Sequence, residues 1–211
     1  MTEELARKIR QTFLYFDVKP REPNVIYVTE AVGCLRRGFF NLKFNANPVL
    51  GSADAILGKL VHLALPKILK DVLNAEFEVP LEHRIGETWT LKGRADAVGD
   101  EMVYEFKFSS PYSDAKPIYF MQANCYAVMA GKPMFTLVII DKRTFNIDVT
   151  TSEADEKSFQ AVVDRAKEII KCLEEDKPPV GPNFQWECNH CPYNIICVRG
   201  KEWIGQKPLK P

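Results

Sequence analysis

Apolar residues along the chain repeat at two periods, and the switches between them divide it into elements. Leu5, Ile9 and Phe13 recur at helical spacing and predict a short N-terminal helix. Thr29 is placed to cap a second short helix through Cys34, with Arg36 and Arg37 directly after it. A longer helix is expected from about Ser52 to Leu73, with Leu57, Leu60, Val61, Ala64, Ile68 and Val72 on its apolar face. Pro66 within it cannot donate to the carbonyl of His62, four residues back, which predicts a kink. Strand patterns follow at 76–83, 88–98 and 101–109. The next helix starts near Pro117 and stops at Gly131. Two further strands, 134–141 and 144–150, flank a turn at Asp141-Lys142-Arg143. Ser152 with Asp155 has the form of a helix N-terminal cap. Phe159, Val162, Ala166, Ile169 and Leu173 then form the stripe of a last helix that ends before Pro178 and Pro179. This order of elements reads as a mixed α/β chain.

At 211 residues the chain can bury one real core, with a small appendage at most. Lysine plus arginine equal aspartate plus glutamate, 28 against 28, so a nucleic-acid role needs a local basic patch rather than a basic surface. The N-terminal MTEELARKIRQTF has no apolar h-region, and the longest apolar run, from Phe135 to Ile140, is too short to span a bilayer. A soluble cytoplasmic protein with no membrane partner is the expectation. Six cysteines remain to be placed. Cys125 and Cys172 fall in helical patterns and read as small buried hydrophobes. Cys188, Cys191 and Cys197, in CNHCPYNIIC, look like a metal site short of one ligand, since clustered cysteines in a reducing cytosol more often bind metal than pair.

A second motif is GRADAVGDEMVYEFKF, residues 93 to 108. A two-residue turn at Gly99-Asp100 sets Asp96 opposite Val103 and Arg94 opposite Glu105. In that register Trp89, Leu91, Ala95 and Ala97 share an apolar face with Met102, Tyr104, Phe106 and Phe108. Asp96, Glu105 and Lys107 then share the other face, with Asp96 and Glu105 as diagonal neighbours about 7–8 Å apart. Two carboxylates at that distance can converge on Mg²⁺ or Mn²⁺, and the Lys107 ammonium could orient a water or stabilise charge on phosphorus. The plainer alternative is a solvated hairpin face with an Arg94–Glu105 ion pair. Three features weigh against it. His62 follows Gly58 by one helical turn, the glycine permitting close packing. Gln122 and Tyr126 lie one turn apart beside the core stripe of Ile118, Met121, Cys125 and Val128.

In order, these read G-x-x-x-H, G-x-x-D, E-x-K and Q-x-x-x-Y. This set resembles the RecB-like branch of the PD-(D/E)xK nuclease superfamily, with a restriction-endonuclease-like core: a mixed central sheet flanked by helices. The aspartate step lacks a preceding proline, as is common in that branch. One cysteine before the core, Cys34, and three after it resemble the iron–sulfur members. At this size the pattern is similar to the CRISPR-associated exonuclease family, the Cas family numbered four. The resemblance spans roughly residues 25 to 200.

The resemblance implies a single nuclease domain over 1–211. Its core would be 52–175, with 25–50 and 183–204 forming a cluster-binding subregion in which N- and C-terminal segments join at four cysteines. It implies His62, Asp96 and Glu105 as Mg or Mn ligands, with the Phe106 carbonyl as a further one. Asp96, Glu105 and Lys107 would be catalytic, and Gln122 and Tyr126 would support the site and contact the DNA backbone. The family trims DNA, most often single strands from the 5′ end, and helps prepare CRISPR spacers alongside integrase proteins. A RecB-like DNA repair nuclease and a non-catalytic, metal-stapled binding module are the other readings.

Spacing alone leaves zinc and iron–sulfur even at the cysteines; the resemblance implies iron–sulfur, as 2Fe–2S or 4Fe–4S, on Cys34, Cys188, Cys191 and Cys197. His190 is a weaker candidate ligand there. The centre would be structural, tying two poorly patterned segments together. Arg36, Arg37, Lys43 and Arg94 are candidates for tracking a phosphate backbone, or else solvated charges.

Overall fold

In the computed structural model, which describes residues 2–16, 20–46, 53–109, 115–181, 186–189 and 191–199, one strand organises the sheet. This is β3 (Trp89–Gly99). β2 (Ala75–Ile85) runs antiparallel along one edge of it, from Ala75 opposite Gly99 to Ile85 opposite Trp89. With that edge taken, two strands share the other. β1 (Val25–Tyr27) pairs parallel with Thr90–Lys92, and β4 (Met102–Ser109) pairs antiparallel with Ala97 and Val98. β5 (Met134–Asp141) lies parallel to β4, and β6 (Ile147–Glu153) closes the mixed six-stranded sheet antiparallel to β5.

Helices cover both faces. α2 (Val28–Val32), α3 (Leu35–Lys43), α5 (Lys116–Met129) and α6 (Glu156–Glu174) build the main core with Ile26, Phe39, Leu91, Val162 and Ile169. α4 (Ala53–Leu69) covers a smaller cluster of Leu65, Ala97 and Phe106. α1 (Thr2–Leu14) has no buried residue, and α7 (Trp186–Asn189) and α8 (Asn194–Arg199) carry Cys188 and Cys197, with Cys191 between them. No described helix is long and apolar enough to cross a membrane. The expected α/β architecture with a mixed, helix-flanked sheet is present.

Several local expectations are corrected. Tyr27, not Thr29, occupies the N-cap of α2, and Cys34 ends no helix but stands at the N-cap of α3. α4 runs through Pro66 and ends at Leu69, and only part of its expected apolar face is buried. Leu57, Leu60 and Ile68 are exposed, while Leu65, Val61 and Leu69 pack on the sheet. That helix is apolar on nearly every side, so periodicity could not choose its buried face. Gly58 meets no atom, so close packing does not explain it. Ser152 lies in β6, and Asp155 caps α6 by accepting from the backbone N–H groups of Lys157 and Ser158. The β5–β6 turn is longer than expected because the Asp141 carboxylate accepts from Arg143 and Thr144 N–H, deferring β6 to Ile147. α5 stops as expected before Gly131, whose φ is +65. Ser52 and His190 lie outside the described residues.

The hairpin register also differs. The chain turns at Asp100-Glu101, so Ala97 faces Tyr104 and Val98 faces Val103. The shift is two residues, which keeps the parity of the pairing but sets Asp96 level with Glu105 rather than diagonal to it.

β3 also changes face along its length. Leu91 and Ala95 belong to the main core, whereas Ala97, which alternation would place beside them, packs under α4. The ladder pairs Val79↔Ala95 and Phe77↔Ala97 bracket Glu78 and Asp96, and Glu78 has φ +58. A left-handed residue in one strand reverses its pleat, so β2 and β3 turn over together at this point.

On the shared edge, the four residues Gly93–Asp96 lie between the β1 and β4 pairings with neither as a partner. α5 fills that gap. The Tyr126 ring lies over Gly93, where a Cβ would come 2.3 Å from its Cε1 atom. Gly93→Ala therefore displaces a buried aromatic and is expected to cost about 1–3 kcal/mol of stability. A denaturant-unfolding midpoint unchanged by the substitution would refute the contact.

Candidate active site

The gap in the β3 edge opens into a cleft of about 560 Å³ lined by Tyr27, His62, Lys92, Arg94, Asp96, Glu105, Lys107, Gln122 and Tyr126. The structure thus brings together all seven residues expected there: His62 from α4, Arg94 and Asp96 from β3, Glu105 and Lys107 from β4, Gln122 and Tyr126 from α5. Strand divergence leaves backbone groups without ladder partners, and side chains take their place. Asp96 Oδ2 accepts the Phe106 N–H at 2.7 Å, and the Tyr126 hydroxyl oxygen accepts the Arg94 N–H. These bonds satisfy groups whose burial would otherwise be costly.

A continuous polar chain runs from there into the core. Gln122 Nε2 donates to the Tyr126 hydroxyl at 3.0 Å, and Gln122 Oε1 accepts from Lys107 Nζ at 3.1 Å. Lys107 Nζ in turn donates to Glu105 Oε1 at 2.6 Å and sits 5.1 Å from the centre of the Tyr119 ring. His62 Nδ1 lies 3.0 Å from Asp96 Oδ1. The one-turn spacing of Gln122 and Tyr126 is what lets a single helix hold both the lysine and the free β3 edge.

Electrostatics follow from burial. Glu105 is 1% exposed, and desolvation pushes its carboxyl up to about 7 against the lowering effect of Lys107. Burial also works against the Lys107 ammonium, but the Glu105 and Asp96 charges outweigh it and raise its pKa. For His62, burial favours the neutral ring, yet the Asp96 hydrogen bond and charge together lift it above its ordinary value. One atom is left over: Glu105 Oε2 is buried with no hydrogen-bond partner. An orphaned carboxylate oxygen in the cleft that Asp96 and His62 also line is a donor a divalent cation would satisfy, and oxygen and imidazole ligands suit Mg²⁺ or Mn²⁺.

Glu78 was not expected. Its carboxylate, with Asp96 and His62, forms a group whose ligand atoms all lie within 4.8 Å of one another. It also binds Arg94 Nε at 2.7 Å, so the Arg94–Glu105 pair considered above does not form. Nothing in the alternation of β2 marks Glu78, because its left-handed backbone breaks that alternation.

Other cationic residues lie elsewhere. Arg36 is buried, with Nε donating to the Pro179 carbonyl, and with Arg37 it lines a cavity shared with Cys34, Cys188, Cys191 and Cys197. Lys43 pairs with Asp176. None of the three lines the cleft. All four cysteines face one cavity, but no such tight ligand group forms among them: only His62, Glu78 and Asp96 meet the 4.8 Å criterion among the described residues. The four-cysteine centre expected from the sequence is thus not shown as a ligand group, although the four residues border one cavity. Burial raises the thiols of Cys34, Cys188 and Cys191, that of Cys188 to about 11. Glu187, also unexpected, accepts the Cys34 N–H at 2.8 Å through Oε1, while its buried Oε2 has no partner.

Comparison with known proteins fits this geometry. The model of the PD-(D/E)XK nuclease superfamily matches residues 30–198. A protein described as the CRISPR-associated exonuclease Cas4 of Saccharolobus solfataricus is 31% identical over 188 residues, covering 84% of this chain and 89% of that one. The solved structure of SSO0001 is 29% identical, covers 93% of this chain and 96% of its own, and superposes with a TM-score of 0.71. An alkaline exonuclease from Laribacter hongkongensis, 13% identical over 72% of this chain and 89% of that one, shares the fold at a TM-score of 0.54. A sheet opened at Asp96, with Glu105 and Lys107 on the diverging strand, places the chain in the PD-(D/E)XK nuclease superfamily, and within it the chain belongs to the family of CRISPR-associated exonucleases.

Proposed function

We propose that this protein is a Mg- or Mn-dependent DNA exonuclease. It acts mainly on single strands, from the 5′ end, in the cytoplasm, and it trims DNA for CRISPR spacer acquisition alongside integrase proteins. The observation that carries the nuclease reading is the buried, unpartnered Glu105 Oε2 in a cleft shared with Lys107, Asp96 and His62. His62, Asp96 and Glu105 would hold the cation, with the Phe106 carbonyl on the same strand turn. Bound there, a divalent cation polarises a phosphodiester and lowers the pKa of a water.

The chain's own residues do the rest. Asp96 is held by the Phe106 N–H and His62, so its carboxylate is oriented before any ligand arrives. Lys107, kept charged by its carboxylate neighbours and aimed by Gln122, presents an ammonium to the attacking water or to charge building on phosphorus. Tyr126 and Gln122 fix the free edge of β3 and so the cleft floor. The identity with the CRISPR-associated exonuclease of Saccharolobus solfataricus supports DNA as the substrate.

Labelled single-stranded DNA incubated with Mn²⁺ should be shortened by the native chain and left intact by Asp96→Asn and Lys107→Ala, each at least about a hundredfold slower. Cleavage persisting in both variants would sink the catalytic reading and leave a DNA- or partner-binding module.

Cys34, Cys188, Cys191 and Cys197 would hold an iron–sulfur cluster. Their common cavity supports this. Freshly purified protein should be brown and contain iron, and Cys34→Ala should lower both iron content and melting temperature. A colourless protein with stoichiometric zinc would overturn this assignment.

A further inference from the structure

The geometry points to Glu78 as a switchable fourth ligand of the cation site, held in reserve by Arg94 and released when a phosphate of the substrate takes Arg94 away. This inference rests on the cation site proposed above and concerns how that site is completed.

The first observation is the ligand group itself. Glu78, Asp96 and His62 offer atoms within 4.8 Å of one another, although Glu78 comes from β2, a strand that contributes nothing else to the proposed catalytic set. The second is Glu105 Oε2, buried and unpartnered on the neighbouring strand level with Asp96, in the cleft that Asp96 and His62 also line. The third is backbone conformation. Glu78 adopts φ +58, which a residue with a long side chain rarely takes without compensation. That conformation falls where β2 passes Asp96, and the Glu78 carboxylate lies within 4.8 Å of ligand atoms of Asp96 and His62, which line the cleft.

Glu78 is not free in the protein as it stands. Its Oε2 accepts from Arg94 Nε at 2.7 Å. A guanidinium there neutralises the carboxylate and repels an incoming dication, so it competes directly with metal. The Arg94 side chain is 57% exposed and lines the cleft, whereas that of Glu78 is 28% exposed. The arginine is therefore the mobile partner. A phosphate entering the cleft offers it a bidentate acceptor of the kind guanidinium prefers. Once Arg94 turns to the phosphate, the Glu78 carboxylate becomes available to the cation. Phosphate binding and cation binding then favour each other through one ion pair, and the coupling is reciprocal. A site of this design holds its cation weakly until a nucleic-acid backbone is present.

The test is Mn²⁺ titration of the full chain by calorimetry or electron paramagnetic resonance, with no nucleic acid and no turnover. Native protein, Glu78→Gln, Arg94→Gln and the double variant form a cycle, with far-ultraviolet circular dichroism melts confirming that each is folded. Arg94→Gln should tighten Mn²⁺ about fivefold, the scale of one exposed ion pair, and Glu78→Gln should weaken it about threefold or more. In the Glu78→Gln background, Arg94→Gln should have little further effect. An Arg94→Gln gain of equal size in both backgrounds would mean simple through-space repulsion and overturn the inference, as would Glu78→Gln binding Mn²⁺ like the native chain. Asp96→Asn separates the two levels. If it abolishes Mn²⁺ binding while Glu78→Gln does not alter it, the cation site stands and only the Glu78 role fails. If Asp96→Asn also binds normally, the cation site itself fails.

Discussion

The constraint on which the site depends is that β3 has only two edges and three strands to pair with. β2 takes one edge along its length, so β1 and β4 must divide the other. Where they part, Gly93–Asp96 lose their ladder partners, and backbone groups in a buried sheet cannot stay unpaired. The answer is a set of side chains that mimic strand: the Asp96 carboxylate for Phe106 N–H and the Tyr126 hydroxyl for Arg94 N–H. Polar residues are thus drawn into the centre of the sheet for a structural reason, and a cleft with oriented carboxylates is the consequence. Gly93 belongs to the same solution, since only a residue without a Cβ lets the Tyr126 ring close over the gap.

This explains which parts of the site could be read from the chain. Asp96, Glu105 and Lys107 were legible because side-chain alternation assigns faces, and a register error of two residues preserves faces while misplacing partners. Gln122 and Tyr126 were legible because a helix repeats every turn. Glu78 was not, since a left-handed residue mid-strand cancels the alternation that would have shown it. The outward face of α4 was misread for the opposite reason: apolar residues on every side carry no period to read. Asp155 rather than Ser152 capping α6 is a competition between two plausible caps, decided by β6 pairing with β5 through Glu153.

The charges at the cleft are arranged against one another. Glu105 buried beside Lys107 is a pair whose desolvation is offset only if both partners stay bonded, and one carboxylate oxygen does not. The pair is therefore incomplete without a third positive group. His62 with its raised pKa can carry a proton beside Asp96, and a proton there is a poor substitute for a dication. Removing Lys107 alone leaves Glu105 buried without its counter-ion, and removing the Asp96 carboxylate leaves the Phe106 N–H unpaired, so each change strains the fold as well as the site.

The cysteine cavity and the cleft are joined by a buried polar path. The Tyr193 hydroxyl, between Cys191 and Cys197, donates to Asn41 on α3, and Asn41 Nδ2 donates to Glu30 on α2. Glu30 accepts from both terminal nitrogens of the buried Arg21 and from the Tyr27 N–H, and Tyr27 lines the cleft. Glu30 is the centre of this path: removing its charge would strand Arg21, 2% exposed at its side chain, without a counter-ion. Docking of the C-terminal segment onto α3 therefore fixes α2, and α2 fixes β1, one of the two strands whose separation makes the cleft. A group held by the four cysteines would therefore act on the proposed chemistry through this scaffold, by fixing α2 and with it β1.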